Sequence, residues 1–184
     1  MEITTDVILK GGNWRKAFTL FAPFFPQSLQ PNYSIFIISM SIGMMYDKQL
    51  DMAGEETEEE KDNRPSVPRT VLHPHNTDLD FLFQSIILTT SLVDYTEEER
   101  MELAFSPTCQ IKLNRLEFLS KYANFGVGKL IEQSSDDPIE TMEKIRTFLA
   151  QTIEGYNYEI DAISEEDLSI DDIGEIDGTG DEES

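Results

Sequence analysis

The chain has 184 residues, 39% of them hydrophobic, with one cysteine, two histidines and a formal net charge of -22. That length allows one domain with a real core and is short for two. The charge argues against direct capture of nucleic-acid phosphates, which needs a basic face, and the lone Cys109 leaves no intramolecular disulfide framework and no thiolate metal site.

The charge is segmental. Of the 36 acidic residues, seven fall in residues 51–62 beside the single base Lys61, and thirteen fall in residues 154–184, which hold no Lys or Arg. The remainder carries 16 acidic against 13 basic residues, so the body is nearly neutral and the acidity belongs to two appendages. A single cysteine fits a reducing compartment. The N-terminal MEITTDVILKGG lacks the basic and apolar runs of a signal peptide, and the apolar stretch 35–46 is too short to span a bilayer. A cytoplasmic location without membrane contact is the expectation.

Taken in chain order, Trp14, Phe18 and Phe21 recur at helical spacing until Pro23, Pro26 and Pro31 interrupt. Ser34 is placed to cap a helix that is apolar on nearly every side (Ile35, Phe36, Ile37, Ile38, Met40, Ile42, Met44, Met45), which predicts the central buried element. Residues 51–69, DMAGEETEEEKDNRPSVPR, combine a Glu run with two prolines and few apolar side chains, and are expected to form a flexible loop. Thr77 or Asp78 would cap a second apolar helix carrying Leu79, Phe81, Leu82, Phe83, Ile86, Ile87 and Leu88. Thr96 and Glu99 have the spacing of a capping box and open a short helix to about Phe105. Leu113, Leu116, Phe118, Leu119, Tyr122 and Ala123 continue at three- and four-residue steps to Gly126 and Gly128, read as a helix junction. Asp137, Pro138 and Glu140 supply the start of a last helix with the stripe Ile139, Met142, Ile145, Phe148, Leu149 and Ile153.

The expected architecture is therefore all-α: an irregular bundle of five to six helices over residues 1–153, followed by a disordered acidic tail, residues 154–184. The β candidates are short, at Val7 to Leu9 or at Val71 and Leu72.

Sites of chemistry are scarce. His73 and His75 stand as His-Pro-His, a spacing that points two imidazoles to opposite sides of an extended chain and suits a loop better than a metal. Cys109 has no visible base or orienting group, and no nucleophile elbow, P-loop or zinc motif is present. No enzyme activity, cofactor or metal is expected. The tail is different, because Ile160, Ile163, Leu168, Ile170, Ile173 and Ile176 are set among Glu165, Glu166, Asp167, Asp171 and Asp172. Apolar anchors between carboxylates fit a segment that docks into a basic, apolar-lined groove on a protein partner.

Residues 115–132, RLEFLSKYANFGVGKLIE, resemble the Glu-Tyr-Ala-Asn-Gly-Gly-Leu type of helix junction found in small accessory proteins encoded beside bacterial DNA-phosphorothioation (Dnd) genes. The layout is similar as well, with an apolar helix at 33–47, a charged interruption, a second apolar helix at 78–93 and then Tyr122-Ala123-Asn124. The chain departs from that pattern in having Phe125 before Gly126, in having only Lys48 after the first helix, and in residues 51–69 and the tail. The resemblance implies an accessory role in a DNA-modification or phage-defence system and carries over no catalytic residue. The functional expectation is a non-catalytic accessory or regulatory protein that binds a partner through its helical body and acidic tail; the alternative is a DNA-mimic inhibitor of a nucleic-acid-binding protein.

Overall fold

A computed structural model describes residues 3–25, 30–106 and 109–155. Its organising contact is between two helices, α2 (Pro31–Met45) and α7 (Arg115–Ile131), which pack on each other more extensively than any other pair. The helix α2 buries Ile35, Phe36, Met40 and Ile42, and α7 buries Phe118, Leu119, Tyr122, Ala123, Val127 and Leu130. Their backbones nearly touch. A methyl group added at Gly126 would collide with the Ser39 carbonyl, and one at Gly43 would collide with the backbone of Tyr122. This corrects the reading of Gly126 and Gly128 as a junction, since α7 runs straight through both. Glycine inside a helix costs about 1 kcal/mol relative to alanine, and at Gly126 that cost is offset by the close approach it permits.

Around this pair the other elements follow the sequence with local differences. The helix α1 (Gly12–Phe21) buries Trp14, Ala17 and Phe21 and lies against both α7 and α2. The start of α2 is Pro31 rather than a Ser34 cap, because proline at the first helical position gives up an N–H that has no intrahelical partner anyway. Strand β1 (Val7–Ile8) pairs antiparallel with β2 (Ser66–Val67), Val7 opposite Val67. Val7 was a β candidate; Val71 and Leu72 instead lie in a one-turn helix α4 (Arg69–Leu72).

Residues 51–69 hold more structure than their composition suggests. They contain α3 (Glu58–Asp62) and β2, and they bury Ala53 and Val67 completely. The Glu run supplies a capping box, with Thr57 Oγ1 accepting from Glu60 N and the Glu60 carboxylate accepting from Thr57 N. Composition does not show this because the apolar anchors are only a few, Ala53 and Val67 among them, and polar bonds to the body supply much of the ordering.

The second apolar helix, α5 (Asn76–Thr89), starts directly after a 3-10 turn at His73–His75 and ends before Val93, so neither Thr77 nor Asp78 caps it. The helix α6 (Glu97–Phe105) opens on the expected box of Thr96 and Glu99. The helix α8 (Pro138–Ile153) starts as expected, with Asp137 accepting from Ile139 N at 3.0 Å; Glu140 pairs with Lys144 at 2.8 Å instead of turning back to the cap. Among the described residues, six helices of nine or more residues match the expected bundle, and the chain is mainly helical. Among the described residues no helix is long and apolar enough to cross a membrane.

Candidate partner-binding surface

Two networks of interior polar groups hold the fold. Trp14 Nε1 donates to Asn124 Oδ1 at 2.8 Å, and Asn124 Nδ2 donates to the carbonyls of Leu50 at 3.0 Å and Asp51 at 3.1 Å. Two residues earlier in α7, Tyr122 Oη donates to Thr90 Oγ1 at 2.7 Å, and Thr90 Oγ1 donates to Asp47 Oδ1 at 2.6 Å. Ser91 adds its N–H and hydroxyl to Asp47 Oδ2, both at 2.8 Å. Asp47 sits in the left-handed region, φ 45°, which turns the chain out of α2. Burial pushes the Asp47 carboxyl up, but the hydrogen bonds from Thr90, Ser91 and Tyr122 outweigh it and hold the group below its ordinary range. Burial and the nearby Asp47 charge push the Tyr122 phenol up. The Tyr122-Ala123-Asn124 triplet thus pins the chain leaving α2, at residues 47–51, to the middle of α7.

The acidic segment is anchored at the start of α1. Gly12 N donates to the Glu55 carbonyl at 3.2 Å and Asn13 N to the Ala53 carbonyl at 3.0 Å, which satisfies two donors that a helix start leaves open. Glu56 accepts from Gly11 N and receives Arg64 in a forked contact, 2.7 Å at its shortest. Its side chain is only 2% exposed. The Arg64 fork, joined by the Gly11 N–H, holds its carboxyl below the usual range despite burial.

The candidate chemical groups of the sequence lie in separate, ordinary surroundings. The His75 ring stacks on Tyr33 with centroids 4.4 Å apart, and its Nδ1 is 3.5 Å from Asp78. Cys109 is half-buried, with Sγ 3.8 Å from the Ile111 carbonyl. Among the described residues no group of three or more His, Cys, Asp or Glu is set to hold a metal.

The pair α5 and α6 carries several exposed large apolar side chains. Gln84 Nε2 donates to the Ala104 carbonyl at 3.0 Å across the pair. Arg100 locks it further, donating to the carbonyls of Ile87, Thr90, Val93 and Tyr95 at 2.7 to 3.0 Å. Arg115 ties the start of α7 to the same pair through Asp80 at 2.9 Å and the Leu103 carbonyl at 2.8 Å, with its guanidinium over Phe83. On this braced support Phe81 is 66% exposed and Phe105 56%, and Leu88, Leu92 and Met101 are exposed as well. Glu97 and Glu98 open α6 beside Met101. Phe81 and Leu88 belong to the wide apolar surface expected of this helix, and in the structure they face outward. The tail residues read as partner-binding, Ile160 through Ile176 with their intervening carboxylates, lie outside the described residues. Comparison with protein-family models, curated proteins and solved structures finds no match.

Proposed function

We propose that this chain is a non-catalytic accessory or regulatory protein that binds another protein through α5, α6 and its acidic, isoleucine-bearing tail. The observation that carries this reading is the exposure of Phe81, Leu88, Met101 and Phe105 on two helices that polar bonds hold rigid. Large apolar side chains left in water on a braced support cost nothing in pre-organisation when a partner covers them. Glu97 and Glu98 beside Met101 give the surface the same chemistry as the tail, apolar anchors among carboxylates, so one basic, apolar-lined partner would suit both. The setting in a bacterial DNA-modification or phage-defence system rests on the resemblance of residues 115–132.

The test is purification of the full chain with its partner from the native host, then titration of the isolated partner against wild type and the double variant Met101→Ser, Phe105→Ser. Each fully buried anchor is worth roughly 1.5 to 3 kcal/mol, so the double variant should bind at least about a hundredfold more weakly, about 1.4 kcal/mol being a factor of ten. A DNA mimic would instead keep its affinity in that variant and lose it steeply with salt.

A further inference from the structure

The helix α8 is held by one edge of its apolar surface. Phe148, Thr141 and Thr152 are buried, while Ile139, Met142 and Ile153 remain exposed and Leu149 is half-buried. The exposed residues and Leu149, which packs at the edge of the core, are not scattered. Ile139, Met142, Arg146, Leu149 and Ile153 follow one another at steps of three and four, which places them in one stripe along the helix. At its centre stands Arg146, exposed and without an ion pair among the described residues. An apolar seam with one cation in its middle calls for a segment with apolar residues at the same steps and one anion in its middle.

The chain itself supplies such a segment. Ile160, Ile163, Asp167 and Ile170 repeat the same alternation of three, four and three. The chain leaves α8 through Gly155 in the left-handed region, φ 82°, with Gly155 N donating to the Thr152 carbonyl at 3.1 Å, an ending that closes the helix and frees the chain to change direction. Antiparallel alignment after that turn sets Ile153 against Ile160, Leu149 against Ile163, Arg146 against Asp167 and Met142 against Ile170. All four layers fall in one register. The connection, residues 154–159, is within the two to eight residues usual between antiparallel helices.

We propose that residues 160–170 dock back on the outward stripe of α8 in the same molecule, with Asp167 facing Arg146. Composition alone gives the acidic tail too little apolar area to order itself; the stripe on α8 provides the other half. The inference concerns the chain without a partner and does not rest on the proposed function; a partner that takes these isoleucines would displace them from α8.

The experiment is hydrogen exchange read by mass spectrometry on the full chain, in wild type, Arg146→Glu, Asp167→Lys and the double reversal. Arg146 is exposed, so these changes leave the body folded. Amides of residues 160–170 should exchange at least about tenfold more slowly than an unstructured chain, each single reversal should abolish that protection, and the double reversal should recover it. Protection absent in wild type overturns the proposal, as does a double reversal that fails to recover it. Protection that rises with protein concentration also overturns it, because it assigns the contact to a second copy.

Discussion

Trp14 Nε1 and Asn124 Oδ1 meet at 2.8 Å in the core, 110 residues apart in sequence. Because Asn124 also donates to two carbonyls of the chain leaving α2, one side-chain amide joins three distant pieces of backbone. Asn124→Ala should leave the buried Trp14 N–H without an acceptor and release residues 50 and 51. An unsatisfied buried group costs roughly 1 to 3 kcal/mol, so urea denaturation should show a loss of about 2 to 4 kcal/mol. Asn124→Asp should be worse, since it keeps the acceptor but aims a carboxylate at two carbonyl oxygens. An aspartate variant as stable as wild type would contradict this role.

The two glycines of α7 should respond in opposite directions. Gly126→Ala drives a methyl into the Ser39 carbonyl, backbone that cannot yield without separating α2 from α7. A methyl at Gly128 finds Asn13 Nδ2 at 3.7 Å, an ordinary contact. Gly126→Ala is expected to destabilise by several kcal/mol in the manner of an overpacked core, on the order of 1 to 3 or more, and Gly128→Ala to stabilise by up to about 1 kcal/mol through helix propensity. Melting temperatures of the two variants decide it.

Acid should loosen the molecule through two named carboxylates. Glu56 and Asp47 are both held below their ordinary range in the folded chain. A depressed folded-state pKa contributes stability that is fully present above the unfolded value, about 4 for these side chains, and is lost as the pH falls through the folded value. Urea midpoints should therefore change little between pH 7 and 5 and drop below about 4. Glu56→Gln should be less stable at pH 7 and should show a smaller drop on acidification; an unchanged pH profile would remove Glu56 from the account.

Arg100 should not be replaceable by lysine. Its guanidinium serves four carbonyls at the junction of α5 and α6, and an ammonium has three donors on a point charge rather than a planar fork. Arg100→Lys should cost roughly 2 kcal/mol, a value in the range for hydrogen bonds to charged groups. Hydrogen exchange should locate the loss in α6 and residues 90–95 rather than in α7.

Much of the bundle was legible because apolar periodicity and caps are local. Thr96 with Glu99, and Asp137 before Pro138, announced α6 and α8 in the residues that form them. What was not legible depended on distant partners. Gly126 carries no sign that Ser39 lies against it, and the Glu run of residues 55–60 reads as solvated until the open N–H groups of α1 are placed beside it. The outward position of Phe81 and Phe105 was hidden for a related reason: periodicity reports which residues share a face, not whether a neighbour covers it.

The close approach of Gly126 to the Ser39 carbonyl also sets a schedule. The helix α2, apolar on nearly every side, is complete at Met45, but the helix that covers it ends at Ile131. At roughly 5 to 20 residues per second of synthesis, the intervening chain takes on the order of 4 to 17 seconds to emerge. For that interval α2 has α1 beside it but lacks its main native cover, and the nascent chain is expected to need whatever shields apolar helices at the ribosome until α7 arrives.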